Sequence, residues 1–205
     1  SNGYLPEEAY PHQVTKEGEE KISIEFKNGE PVALNGEKME PVALIHALAE
    51  IANGYGVGRD IHIGDTIIGI KGRVGFEAAA PLILVKAHHL LEKHVLVKEQ
   101  LYWKELIGNY YGQLMHEAQY LNPVMRDMER FLESTQESVN GTVDVLLRPR
   151  SFFVLGCTSK YDLMSSKFGE YGEMNKSYTG RDVVGFTKVL ANPLKIFYSL
   201  HKEDR

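Results

Sequence analysis

Lys71, Arg73 and Glu77 stand two and four residues apart at the end of a stretch that gathers unusual chemistry, GYGVGRDIHIGDTIIGIKGRVGFEAAAP from Gly54 to Pro81. The stretch also holds Arg59 and seven of the chain's glycines. Two cations near an acid can pair with a ligand carboxylate or stabilise developing negative charge. The same side chains at the end of a strand also read as ordinary surface charge. What separates the two readings is the glycines, because backbone freedom beside charge suits close approach to a ligand.

Other residue types are weaker candidates. His88, His89 and His94 invite a metal, but they lack an i, i+4 pair on one helix face and no Cys or acid completes a set. The lone Cys157 lies in the apolar run SFFVLGC and reads as a small buried hydrophobe. Tyr102, Trp103, Tyr110, Tyr111 and Tyr120 could stack on a base, but their helical spacing fits core or subunit packing. Gly54–Gly58 follows a helix and opens a strand, the reverse of a dinucleotide-binding turn.

The elements that position these residues can be read from periodicity. Residues 3–20 carry Pro6, Pro11 and many charges without period, and are expected to be an extended lead-in or linker. Ile22, Ile24 and Phe26 alternate as a strand, Asn28-Gly29 turns it, and Pro31–Leu34 returns to Asn35-Gly36. Pro41 opens a helix with Val42, Ile45, Leu48, Ala49 and Ala52 as its apolar stripe, ended at Asn53-Gly54. Asp60–Ile70 reads as a strand and Ala78 to about His94 as a helix. Lys98–Leu121 is the clearest helix, with Trp103, Leu106, Ile107, Tyr110, Leu114 and Ala118 at three- and four-residue spacing. Asn122-Pro123 restarts a helix with Val124, Met128, Phe131, Leu132 and Thr135 inward. Thr142–Leu147 and Ser151–Cys157 form a second hairpin. A short helix is expected near Asp162–Lys167, and a last one runs from Asn192-Pro193 to about His201. The sum is an α+β chain: a mixed or antiparallel sheet built from hairpins against long helices, with a C-terminal helix used in oligomer contacts.

Composition narrows the function. The 205 residues are 43% apolar and 25% charged, enough for a buried core. A net charge of −5 argues against a nucleic-acid surface. No run of 18 apolar residues suggests a membrane span, no leader opens the chain, and one cysteine suits a reduced compartment, so a cytoplasmic setting is expected. Ser1-Asn2 reads as the remnant of a removed tag, and the sequence as a piece of something longer. Two parts are expected: 1–20 as tag remnant and lead-in, and 21–205 as one domain.

The order Gly56-Val57-Gly58-Arg59, a strand, then Gly69, Lys71, Arg73 and Glu77 resembles the C-terminal half of argininosuccinate synthases, which carry G-V-G-R and then G-x-K-S-R-G-x-Y-E-T-P. Ala87-His88 before a long helix, the helix around Tyr110–Tyr120 ending at Pro123, the hairpin Thr142–Cys157, and Gly185-Phe186 before Asn192-Pro193-Leu194 extend the resemblance from about Ile22 to about Tyr198. It implies a citrulline-binding and oligomerisation domain of a ligase that joins citrulline to aspartate with ATP and Mg, in arginine biosynthesis and the urea cycle. In that chemistry ATP adenylates the ureido oxygen, pyrophosphate leaves, and the aspartate amine displaces AMP. The family's phosphate-cradling Gly-Gly-Leu-Asp-Thr-Ser loop does not occur in these 205 residues. The resemblance therefore implies a separate N-terminal ATP-binding domain as partner, a fragment inactive alone, and a homotetrameric parent. No cofactor or metal is expected in this piece, and its catalytic residues are unassigned.

Departures fall in the site. The family's acid that holds the amino-acid end of citrulline aligns with Gly64, its tyrosine with Phe76, and its serine with Gly72. Asp65, one position on, could replace the acid by a bulge or a one-residue slip, and a slip turns a side chain to the other face. Without the acid, a buried ammonium forgoes a charge-assisted hydrogen bond of roughly 1.5–3 kcal/mol. The site is expected to take either free citrulline or an N-acylated citrulline, with Lys71, Arg73, Phe76, Glu77, Gly64 and Asp65 as its substrate-binding positions. A stand-alone oligomerisation or ligand-sensing module is the alternative.

Overall fold

The computed structural model describes residues 3, 5–164 and 176–201. The chain divides into two compact units, Ser1–Leu163 and Met164–Arg205. The first is built on strands β1 (Glu20–Lys27), β2 (Glu30–Leu34), β3 (Glu37–Lys38), β6 (Gly141–Arg148) and β7 (Ser151–Thr158), ordered β3-β2-β1-β6-β7 and antiparallel throughout. A separate two-stranded sheet pairs β4 (Arg59–Asp65) with β5 (Lys71–Glu77). The helices of this unit are α1 (Pro41–Asn53), α2 (Ala79–Val95), α3 (Lys98–His116) and α4 (Pro123–Gln136).

The core follows from alternation. Ile22, Ile24 and Phe26 of β1 and Val143, Val145 and Leu147 of β6 are buried on one sheet face. Registers Ile22↔Val145 and Ile24↔Val143 set these side chains opposite each other. Ile83, Ala87 and Leu91 of α2 join Leu44, Leu48 and Ala52 of α1 against them. Each fully buried Leu or Ile contributes about 2 kcal/mol relative to exposure. The strand reversals at Asn28-Gly29 and Asn35-Gly36 place all four residues at φ between 50° and 81°, the conformation a two-residue hairpin turn demands.

Several expectations need correction. The inward stripe of α1 is Leu44, Leu48 and Ala52, while Val42 and Ile45 face solvent. A 100° turn per residue carries 44-48-52 along one side, and position 42 lies across the helix from it. On α3 only Leu114 is buried; it meets Met125 and Met128 of α4 with Ile107 and Tyr111 alongside, and Trp103, Leu106 and Tyr110 are exposed. Val124 and Phe131 of α4 are likewise solvent-facing. α3 stops at His116 rather than Leu121. Ala118 takes φ 58°, Ala118 N–H donates to Met115 O and Gln119 N–H to Leu114 O, the paired closure of a Schellman motif with alanine where glycine is usual. Asn122 caps α4 as expected, its side chain accepting from Val124 N–H.

The expected strand Asp60–Ile70 ends at Asp65, and the rest of it is a turn that leads into β5 at Lys71. The chain reverses at Thr66–Ile70, where Gly69 (φ 78°) donates to Thr66 O and Thr66 N–H and Oγ donate to Ile70 O. Ile67 and Ile68 occupy the turn, so its apolar content hid it. Of the helix expected near Asp162–Lys167, residues 165–167 lie outside the described residues and 162–164 are not helical.

The second unit holds α5 (Gly180–Leu190) and α6 (Asn192–Leu200). α5 was not anticipated, although Thr179 and Asp182 form a reciprocal capping box at its start. Asn192 is the first helical residue of α6 rather than its cap, because Ala191 is already helical and α5 runs into α6 through that single residue.

A buried polar group lies in the first unit. Glu92 of α2 has no exposed surface; Lys104 Nζ donates to Oε2 at 2.8 Å and Gln136 Nε2 to Oε1 at 2.8 Å. His88 and His89 approach the same carboxylate at 3.8 and 3.7 Å. Burial pushes the Glu92 carboxyl up, and the His88 ring, the Lys104 ammonium and the Gln136 amide outweigh it, holding the group below its ordinary range. Burial pushes His88 down from the usual imidazole value. His94 bonds Asp162 at 3.0 Å, away from this cluster.

Candidate substrate-binding hairpin

Register fixes which of the candidate residues can act together. The β4–β5 pairing is regular: Arg59↔Glu77, Asp60↔Phe76, Ile61↔Gly75, His62↔Val74, Ile63↔Arg73, Gly64↔Gly72 and Asp65↔Lys71. Directly opposed residues of an antiparallel pair share a face, and faces alternate along each strand. One face therefore carries Arg59, Glu77, Arg73, Asp65 and Lys71. The other carries Phe76, Gly64, Gly72, His62, Val74 and Asp60. The six predicted positions are brought onto one hairpin and divided between its two sides.

The charged face is ordered by the lead-in. Arg59 Nε donates to Glu77 Oε2 at 2.8 Å, Nη1 donates to Glu7 Oε1 at 2.6 Å, and Nη2 donates to the His12 carbonyl. The guanidinium lies 4.4 Å from the centre of the Tyr10 ring. His12 Nδ1 meets the second oxygen of Glu77 at 2.6 Å. Arg73 donates to the Gly3 carbonyl, and Leu5 fills the space above Gly75. Glu7 is held below its ordinary carboxyl value by its hydrogen bond from Arg59. At the tip, Lys71 and Asp65 form an exposed ion pair at 2.6 Å, so Asp65 lies across the hairpin from Gly64 and is committed to a neighbour.

The other face is bare next to the tip. The Gly64–Gly72 pair leaves two facing positions without side chains, and on the Gly72 side a ligand can approach the backbone closely. The His62 ring folds over the Gly64 side: a Cβ on Gly64 would lie 2.5 Å from His62 Nε2. A Cβ on Gly72 would meet only ordinary contacts, the nearest Thr66 Cγ2 at 3.7 Å. Asp60, whose Oδ1 accepts from Ile61 N–H, is the carboxylate of this face, four residues or about 13 Å along the strand from Gly64. From tip to base this face carries bare backbone at Gly64–Gly72, the His62 imidazole opposite Val74, and Phe76 opposite Asp60, so no acid of this face lies beside Gly64.

The base is fixed by glycine. Gly58 has φ 79°, and a Cβ there would come within 2.6 Å of Ala79 backbone at the start of α2. The approach lets Ala78 N–H donate to Gly58 O at 2.9 Å. Beside it, Arg59 and Arg150 share Glu7 in a cleft of about 620 Å³ that also meets Tyr10 and Gly56.

Sequence reasoning passed over Glu7, Tyr10 and His12 because an aperiodic, charged lead-in reads as linker. His62 went unremarked as one of several polar residues on a strand. The signal that could have found it is alternation: positions 62 and 64 share a face in any strand through Ile63. Among the described residues no three His, Cys, Asp or Glu side chains gather as a metal site, and no helix is long and apolar enough to cross a membrane.

The family pattern described as arginosuccinate synthase C-terminal domain matches residues 6–197, and the chain belongs to that family. Among relatives, the argininosuccinate synthase of Methanocaldococcus jannaschii is 40% identical over 186 residues, covering 89% of this chain and 47% of its own length. That of Dehalococcoides mccartyi strain 195 is 36% identical over 176 residues, 86% of this chain and 43% of its own length. That of Carboxydothermus hydrogenoformans is 33% identical over 186 residues, 91% and 46%. The chain spans about half the length of the curated relatives it matches.

Proposed function

We propose that this chain is the citrulline-binding and oligomerisation domain of an argininosuccinate synthase. Its parent condenses citrulline with aspartate using ATP and Mg, giving argininosuccinate, AMP and pyrophosphate in arginine biosynthesis, in the cytoplasm. The observation that carries this reading is the family match over residues 6–197 to relatives named for that activity. Under it the β4–β5 hairpin forms one wall of the citrulline pocket. Lys71 and Arg73, on the side of the hairpin away from Gly64 and Phe76, add positive charge that draws a substrate carboxylate toward the tip, and Glu77 acts through Arg59. The groups that handle the nucleotide belong to a separate N-terminal ATP-binding domain, and the fragment alone is inactive. The parent assembles as a homo-oligomer, a tetramer by the family resemblance.

A second reading concerns the amino-acid end of the substrate. The resemblance sets an acid at position 64 and a tyrosine at 76, where this chain has glycine and phenylalanine. His62 covers the glycine, and the nearest acid on that face, Asp60, is about 13 Å along the strand from Gly64, opposite Phe76. These features favour a neutral, N-acylated amine over a free ammonium, which would be left without a charged partner.

Pyrophosphate release by the full-length parent, with ATP, aspartate and each of free, N-acetyl- and N-succinylcitrulline, tests both. Turnover of any of them is the expected result for the ligase; turnover of an acylated form over the free one selects the second reading. Silence with all three rejects the ligase in favour of the stand-alone module.

A further inference from the structure

We propose that the lead-in is a strap that sets the pitch of the β4–β5 hairpin, with Arg59, Glu7 and Tyr10 as positioning residues. An isolated two-stranded sheet is marginally stable in water. This one pairs with no strand of the main sheet. Its base is tied by the Ala78-to-Gly58 hydrogen bond, and its charged face is held by a segment more than forty residues upstream. Arg59 is the clasp. Its guanidinium binds the opposite strand through Glu77, the strap through Glu7 and the His12 carbonyl, and stacks on Tyr10. Arg59 and Glu77 side chains are 10% and 3% exposed, so the clasp closes on a largely desolvated charge pair. A planar five-donor fork is needed for this; a lysine ammonium has neither the reach nor the geometry. Leu5 over Gly75 extends the contact up the hairpin, and Arg73, a candidate substrate cation, is anchored on the Gly3 carbonyl. Movement of the strap therefore moves the hairpin.

The consequence for binding rests on the reading above, in which the hairpin is a wall of the citrulline pocket. A pull on this strap from upstream then changes citrulline affinity without any change in the residues that touch the substrate.

The test changes the strap and leaves the hairpin sequence intact. In this chain carrying Glu7→Gln with Tyr10→Leu, amide hydrogen exchange over residues 61–75 is expected to quicken about tenfold or more, the factor for one lost charge-assisted hydrogen bond. Exchange in β1 and β6 stays unchanged. Arg59→Lys, a separate variant at the first residue of the hairpin, reproduces the effect. In the full-length parent the double variant raises KM for citrulline, with kcat and KM for ATP held. Unchanged hairpin exchange overturns the strap, and unchanged citrulline KM overturns its role in binding. A wild-type parent inactive on every citrulline removes the proposed function instead, and the exchange result still decides the strap.

Discussion

His88 and Glu92 show how a single burial choice sets pH dependence. His88 sits one turn before Glu92, bonds Gln136 at 2.7 Å, packs 5.7 Å from the Phe26 ring, and shares its surroundings with His89 and Lys104. Burial lowers its affinity for a proton, so the unfolded chain, with imidazole near about 6.5, binds protons that the folded one refuses. Stability from this group is complete above the unfolded value and drains as pH falls toward the folded one. Glu92, also lowered, adds its own loss at more acid pH, below the ordinary carboxyl range of about 4.3. The melting temperature should fall between pH 7.5 and 5.5 in the wild type, and His88→Gln, which keeps a polar partner for Gln136, should flatten that slope. A slope unchanged in the variant would assign the pH dependence elsewhere. The sequence showed two adjacent histidines on a helix; that one is half-buried over a buried carboxylate depended on which face α2 turns to the sheet.

At the scale of elements, two glycines with the same backbone test different physics. Gly58 and Gly36 have φ of 79° and 81°. At Gly36 a Cβ meets nothing within 4 Å, while at Gly58 it lies 2.6 Å from the α2 backbone. Gly36→Ala should cost about 1 kcal/mol from left-handed backbone alone. Gly58→Ala should cost at least about 2 kcal/mol, since strain adds to a clash that backbone cannot relieve by rotating a side chain. Urea denaturation of the two variants gives the comparison, and equal losses would mean that the hairpin base gives way. Both Asn-Gly turns of the main sheet were legible because their residues are the ones positive φ selects. The Thr66–Ile70 turn was not, because a threonine hydroxyl and one glycine make it while isoleucines fill it. The end of α3 escaped for a similar reason, an alanine standing in the left-handed position.

At the scale of the molecule, α5 and α6 are where the proposed oligomer would make its contacts. Val183, Val184, Phe186, Val189 and Leu190, then Leu194, Ile196, Phe197 and Leu200, are each more than half exposed. Exposed apolar side chains in such number suit an interaction surface. Under the oligomer proposed above, Phe186→Glu with Phe197→Glu should reduce the sedimentation coefficient to that of a 23.1 kDa monomer while the melting transition of the first unit persists. An assembly that survives both charges would place the subunit contacts elsewhere, with the exposed Trp103 and Tyr110 face of α3 next in line.

From the chain alone came the α+β class, the Asn-Gly hairpins, the alternating core of β1, and the family resemblance with its charged hairpin positions. Those features are local: a period of two, a turn that only certain residues can make, and motifs read in order. Alternation alone puts Lys71, Arg73 and Glu77 on one face of a strand and Phe76 on the other; tertiary structure decided that Gly64 joins Phe76 and Asp65 joins Lys71, because the cross-strand register rests on where the strand reverses. It also decided that Arg59 is buried between Glu77 and a lead-in that sequence read as linker. Contacts between residues fifty or more positions apart leave no period in the chain, and a charged segment is indistinguishable from a solvated one until its counter-charge is in place.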